Sequence, residues 1–135
     1  MSTITITLTD QDKSTVRTAA YGAVSLMAAA GAPHKGIANG SIALTSATGA
    51  VGHVLAAKTK DIELRGKSVA ALADNVLPAL TAAVKLLEQQ DPAEADNFRD
   101  TVLVAIEAAA RPRQSQPSPA VAAMTRKITA ALDAA

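Results

Sequence analysis

The chain lacks cysteine and tryptophan, and its only phenylalanine and tyrosine are Phe98 and Tyr21. Without cysteine it can form no disulfide, no thiolate zinc site and no thiol nucleophile. It also lacks an excess of either charge, because 13 Lys and Arg residues are balanced by 12 Asp and Glu residues dispersed along the chain. Proteins that bind nucleic acids usually gather basic residues into a patch, so we expect no nucleic-acid partner.

Long hydrophobic runs are also missing. The longest weakly polar stretches, 19–33 and 42–57, are interrupted by Ser, Thr, Gly and His and are shorter than the roughly 20 residues that span a bilayer. The amino-terminal sequence MSTITITLTD has neither the basic region nor the continuous apolar region of a secretory signal. We therefore expect a cytoplasmic protein that does not associate with a membrane.

What the chain does contain is alanine, the best helix former and its commonest apolar residue. We expect an all-α fold in a single domain, 1–135: a compact bundle of about five helices with a short amino-terminal β-strand or extended arm. The spacing of apolar residues places the elements in order along the chain, with the arm at 1–9 and helices near 10–30, 41–58, 61–90, 92–110 and 119–134. Pro78 removes one backbone hydrogen bond, so we expect a kink or a break at 75–78. Phe98 lies on an apolar stripe and is expected in the core.

Three of these helices begin with strong start signals. Thr9 can cap the first helix, whose first turn carries acidic residues. The sequence DPAE at 91–94 supplies a capping aspartate, a proline at the first helical position and an acid, Glu94, at the third. Ser118 followed by Pro119 starts the last helix in the same way. These acidic residues are expected to stabilise helix ends rather than to act as general acids or bases.

The segment 34–52 is rich in glycine, serine, threonine and alanine. Its glycines match neither the GxxxxGK[ST] nor the GxGxxG pattern of phosphate-binding loops. Small residues at three- and four-residue spacing instead allow two helix backbones to approach closely. We expect a helix that Ser41 caps, with small side chains such as Thr45 and Gly52 along one face.

The amino-terminal stretch 3–8 alternates threonine with Ile4, Ile6 and Leu8, which is typical of a β-strand. A strand left alone would expose a row of unpaired backbone donors and acceptors. We favour pairing with the same segment of a second copy in a two-fold symmetric dimer. The alternative is an extended arm that lies over its own helices.

Two stretches carry a resemblance to a known family. The first is 8–27, LTDQDKSTVRTAAYGAVSLM, and the second runs from VLPAL at 76–80 through DPAE at 91–94 to Phe98-Arg and the final helix. Together they resemble a family of small helical actinobacterial proteins without an assigned activity, over most of the chain except 34–66. The last two helices also resemble the TerB-like fold of tellurite resistance, in which an acidic turn is associated with metal binding. The corresponding turn here, RPRQSQPS at 111–118, holds no carboxylate, so the resemblance implies an all-α fold and not a metal site.

No catalytic constellation is present in the sequence. His34 and His53 are the only histidines, and no HxxH, HExxH or ExxH spacing provides a metal-ligand set. The serines and threonines lack a GxSxG elbow or an SxxK pair that would activate a nucleophile. We predict no catalytic residue and no metal ligand, with His34 in a solvated loop and His53 on a helix surface. The sequence does not identify a cofactor.

Two hypotheses for the function remain. The first is a noncatalytic interaction or regulatory module that forms a homo-oligomer, with a dimer favoured. The second is a small-molecule or metal-binding protein, or a minor enzyme, with a pocket lined by Tyr21, Ser41, Thr45 and His53. Tyr21 shares a polar stripe of the first helix with Arg17, four residues earlier, and is a candidate proton-transfer group.

Overall fold

The computed structural model describes residues 8–32, 34–56, 68–110 and 118–135. Within these ranges helices account for 88% of the residues and no strand occurs, so the predicted all-α fold is confirmed. The helices are six in number: α1 (Asp10–Ala29), α2 (His34–Thr45), α3 (Gly49–Ala56), α4 (Val69–Gln90), α5 (Pro92–Ala110) and α6 (Pro119–Asp133). The strand expected at 3–8 lies outside the described residues except for Leu8, which packs against the core.

Helix α1 lies at the centre of the bundle and contacts each of the other five helices. Its small residues Ala19, Ala20 and Ala23 are completely buried, which lets neighbouring helices approach from several sides. The most extensive packing joins α1 to α4 and α2 to α5. Phe98 on α5 is completely buried, as the sequence predicts.

The predicted helix starts at Thr9 and Ser118 are confirmed. The Thr9 hydroxyl accepts a hydrogen bond from the Asp12 amide at 3.0 Å, while the Thr9 amide donates to the Asp12 carboxylate at 3.1 Å. Ser118 accepts from the Val121 amide at 3.3 Å and precedes the proline that begins α6. Each cap satisfies backbone donors that a helix start leaves without an intrahelical partner.

The single helix expected over 41–58 is wrong, because the chain forms two helices there with a break at 46–48. Helix α2 begins at His34, which the sequence analysis assigns to a loop, so Ser41 lies within this helix instead of capping one. Helix α3 begins at Gly49, whose φ of +74° is a conformation that glycine adopts at little cost. The backbone can therefore turn between α2 and α3 at this position.

The early start of α2 follows from its packing on α5. Gly36 and Gly40 lie one turn apart on the face of α2 that meets the α5 backbone. A Cβ atom at Gly40 would lie 2.9 Å from the carbonyl oxygen of Ala105, and one at Gly36 would overlap the carbonyl of Ala109. The close helix approach expected from the small residues of this segment therefore occurs, and it needs residues 36–40 in helical conformation.

Pro78 does not break α4, which runs without interruption from Val69 to Gln90. The proline is exposed, so its ring lies on the outer side of the helix. Residues on the opposite side, among them Val76 and Leu80, are completely buried in the core. Loss of one backbone hydrogen bond is offset by this burial.

Helix α4 also has the length and composition of a membrane span. Its 22 residues include a window with a mean hydropathy of 1.4. Core helices of globular proteins share both properties, so they assign no location to the chain. The buried stripe of α4 packs against α1, α5 and α6.

We predict that Gly36→Ala destabilises the protein by about 1 to 3 kcal/mol, the range for overpacking a close contact. In a free helix the same substitution would stabilise by about 1 kcal/mol, so the sign of the change reports the contact with α5. Asn39→Ala, on the exposed side of the same helix, is the matched control and should not destabilise. Urea unfolding followed by circular dichroism measures both. A Gly36→Ala protein as stable as the parent would contradict the close approach.

Candidate functional site: the two ends of helix α3

Helix α3 has only eight residues, too few to be stable alone in water. Its side chains Val51, Val54 and Leu55 are buried in the core. Side chains of other helices form hydrogen bonds with the backbone at both ends of the helix, the residue before it included. Two of these side chains lie on α1 and two on α5. These four side chains connect α3 to two helices that lie far from it in the sequence.

The amino-terminal end of α3 contacts the start of α5. One carboxylate oxygen of Glu94, Oε1, accepts hydrogen bonds from the Val51 amide at 3.0 Å and from Asn97 Nδ2 at 3.3 Å. Asn97 Nδ2 also donates to the carbonyl of Thr48 at 2.8 Å. Negative charge is favourable at this end of a helix, where the backbone amides carry partial positive charge.

The helix start predicted at 91–94 is confirmed, because α5 begins at Pro92 and Glu94 lies in its first turn. The carboxylate of Glu94, however, binds a partner outside its own helix. The linker between α4 and α5 is a single residue, Asp91, whose amide already donates to the carbonyl of Leu87 at 2.7 Å. Glu94 therefore has no capping amide to accept from at Asp91. Its carboxylate instead accepts a hydrogen bond from the Val51 amide of α3.

The carboxyl-terminal end of α3 contacts α1. Arg17 Nη1 donates to the carbonyl of Val54 at 3.3 Å, and the Tyr21 hydroxyl donates to the carbonyl of Leu55 at 2.7 Å. Arg17 is only 4% exposed. A cation is favourable at this end of a helix, so the two ends of α3 meet side chains of the charge that each prefers.

Burial raises the pKa of Tyr21 above its usual value of 10.0, and the nearby positive charge of Arg17 offsets part of the increase. The hydroxyl is therefore protonated at neutral pH and able to donate to Leu55. Proton transfer would require this donor to leave the carbonyl that it now binds. The arrangement favours a structural role for Tyr21 over the proton-transfer role considered from the sequence.

The four residues of the predicted pocket lie on three helices. Tyr21 is partly buried on α1, Ser41 is partly buried on α2, and His53 is exposed on α3, as expected for a helix-surface histidine. Thr45 is exposed and its hydroxyl donates to its own helix, at the carbonyls of Ser41 (3.3 Å) and Ile42 (3.1 Å). No hydrogen bond joins any two of the four side chains.

The sequence did not predict that Arg17, Glu94 and Asn97 bind the backbone at the two ends of α3. Arg17 could have been found, because it interrupts a buried stretch of α1 and an arginine there needs a nearby acceptor. The position of Glu94 signals a helix start, which explains why its contact with α3 was not anticipated. Nothing in the local sequence marks Asn97.

Described residues line at least two surface depressions. One, of about 320 Å³, lies between α2 and α5, and its lining residues are Ala43, Ser46, Asp100, Thr101 and Val104. The other, of about 120 Å³, lies between α1 and α4 and is mostly polar, lined by Gln11, Ser14, Thr15, Thr18, Asn75 and Ala79. Small-molecule pockets usually measure about 300 to 1,000 Å³, so only the first has that size.

The described ranges contain no cluster of three or more His, Asp or Glu side chains that could hold a metal ion. No known protein family, curated protein or solved structure matches this chain in sequence or in fold.

We predict that Glu94→Ala destabilises α3 by about 1.5 to 3 kcal/mol, the range for hydrogen bonds to a charged group. Glu94→Gln keeps an acceptor oxygen without the charge and should cost less. Glu88→Ala removes an exposed glutamate from the neighbouring helix α4 and serves as the matched control. Hydrogen exchange of the Val51 amide measures the local effect. Equal exchange in the parent and in Glu94→Ala would show that the carboxylate does not hold α3.

Tyr21 is the only tyrosine, so the near-ultraviolet absorbance of tyrosinate reports its ionisation alone. We predict a titration midpoint above 10.0 in the folded protein. Arg17→Met should raise it further, because it removes the charge that favours tyrosinate. Since the folded pKa exceeds the unfolded value, the contribution of Tyr21 to stability is complete below pH 10.0 and is lost as pH rises through the folded pKa. A midpoint at or below 10.0 would contradict burial of the hydroxyl.

Proposed function

We propose that this chain is a noncatalytic interaction or regulatory module that acts in the cytoplasm as a homo-oligomer, with a dimer favoured. The observation that carries the proposal is the distribution of exposed apolar side chains. Three large hydrophobic residues are exposed in the described ranges, and two of them, Ile42 (60%) and Val104 (57%), lie on the closely packed pair α2 and α5.

Single exposed hydrophobic residues are normal on protein surfaces, whereas grouped ones mark interaction sites. Val104 lines the 320 Å³ depression between α2 and α5, and Ile42 precedes another lining residue, Ala43. Burial of these side chains against a partner would release water from apolar surface, which is the main driving force of association. A surface of this kind supports binding to another protein chain.

The polar groups of the interior support the same proposal. Arg17, Tyr21, Glu94 and Asn97 each donate to or accept from the backbone of α3 or of the turn before it. Their hydrogen bonds maintain the bundle and leave these groups committed to its structure. The alternative, a small-molecule or metal-binding protein with a pocket near Tyr21 and His53, would need the Tyr21 hydroxyl to exchange its present partner for a ligand.

We predict self-association of the full chain, measured by sedimentation equilibrium over a range of concentrations. The mass should rise from 13.7 kDa toward twice that value. Ligands that bind the folded state raise the melting temperature. Because the proposal expects no such ligand, a thermal-shift screen with metals, nucleotides and acyl compounds should leave the melting temperature unchanged. A chain that stays monomeric at every concentration, and that one ligand class stabilises, would favour the alternative function.

A further inference from the structure

We infer that a second copy of this chain docks on the outer surface of α2 and α5, across a two-fold axis that runs parallel to these helices. The inference rests on the proposed homo-oligomeric function and names its interface. We call this surface the α2–α5 face. Its exposed residues are Lys35 and Ile42 on α2, Ser46 in the turn that directly follows α2, and Asp100, Val104 and Glu107 on α5.

Helical spacing aligns each set of three residues. Lys35 and Ile42 are seven residues apart, and Ser46 follows Ile42 by four, so all three lie along one side of α2. On α5, Asp100, Val104 and Glu107 are separated by four and three residues and share a side in the same way. All six are exposed, so both rows face away from the core.

The glycine contacts fix how the two rows stand beside each other. Gly36 lies against Ala109 and Gly40 against Ala105, so α2 and α5 run antiparallel. Continuing this register places Ile42 beside Val104. The same register puts Lys35 and Glu107 toward one end of the face.

At the other end of the face, Ser46 and Asp100 line the same depression. A two-fold axis parallel to the helices then lays α2 of one copy along α5 of the other, with every residue at its own level. Ile42 then lies within one residue of the level of the second copy's Val104, and the Ser46 hydroxyl can donate to its Asp100 carboxylate. Lys35 and the second copy's Glu107 differ by three residues, about 4.5 Å along the helices, which their long side chains can span. Each contact occurs twice, as a two-fold interface requires.

Charge complementarity selects this arrangement over the other face-to-face dimer. If the axis ran across the helices instead, α5 would lie on its own copy and Asp100 would approach the second copy's Glu107, so two negative charges would meet. Within a single chain neither Lys35 nor Glu107 forms an ion pair with a described residue. The parallel axis gives both of them partners.

The dimer with the parallel axis is a four-helix bundle made of the α2–α5 pairs of both copies. Neighbouring helices in this bundle are antiparallel, as in up-and-down bundles. Helix α2 has only 12 residues and is about 18 Å long at a rise of 1.5 Å per residue, so the interface is small. Exposed ion pairs contribute little to affinity. We therefore expect a dimer that dissociates on dilution, with Ile42 and Val104 supplying most of the affinity.

The test uses substitutions at exposed positions of the full chain, with helical content checked by circular dichroism. Ile42→Glu should raise the dimer dissociation constant at least tenfold, because it buries two unpaired charges. Lys35→Glu and Glu107→Lys should each raise it about fivefold at low salt. The double variant Lys35→Glu with Glu107→Lys restores both pairs with reversed charges and should recover the parent constant.

Val69→Glu is the matched control, because Val69 is the third exposed large hydrophobic residue, 40% exposed, and lies on α4. It should leave the dissociation constant unchanged. If the parent dimerises and both Ile42→Glu and Lys35→Glu dimerise with the affinity of the parent, the α2–α5 face is overturned. The proposed homo-oligomeric function is then left intact. A parent that remains monomeric overturns both.

Deletion of residues 1–7 separates this interface from the arm pairing predicted from the sequence. The truncated chain should dimerise with the affinity of the parent. If the deletion alone abolishes the dimer while Ile42→Glu has no effect, the arm forms the interface and the α2–α5 face is overturned. If the deletion of residues 1–7 and Ile42→Glu each destabilise a protein that is monomeric, a segment of the same chain covers the α2–α5 face. The inference is then likewise overturned.

Discussion

The direct approach of α2 to the backbone of α5 is the contact on which the other features depend. Gly36 and Gly40 remove the side chains that would hold the two helices apart. Their register sets where α2 ends and therefore where the chain turns into α3. It also brings Thr48 within hydrogen-bonding distance of Asn97, next to Glu94. One pair of glycines thus determines both the outer face of the helix pair and the position of the short helix beside it.

Eight of the 27 buried hydrophobic residues in the described ranges are alanines, and each buries less apolar side-chain area than a leucine would. Close backbone packing offsets this by increasing dispersion contacts between helices. Placement of the helices must then be more accurate, since small side chains cannot fill a gap. The charged and hydrogen-bonding groups at the ends of α3 supply directional contacts that apolar packing lacks.

The sequence predicted the fold class and those features that depend on neighbouring residues. The caps at Thr9 and Ser118 were predictable because they involve residues within three positions of each other. The division of the predicted helix 41–58 was not, because the separate helix α3 is held by Arg17, Tyr21 and Glu94, which lie 37, 34 and 43 positions from their partners in the chain. The same reason applies to the candidate site: Tyr21 was identified from its chemistry, but its partner Leu55 is 34 residues away in the chain.

These separations bear on the order in which the protein folds. The hydrogen bonds that hold α3 join residues 37, 34 and 43 positions apart, from Arg17, Tyr21 and Glu94 respectively. A helix of eight residues gains too little from its own turns to persist before those partners are in place. Closing such long loops costs entropy that is recovered only when the distant groups meet. Helix α3 is therefore the element whose formation follows the docking of α1 and α5, and it is among the first to open when either helix loosens.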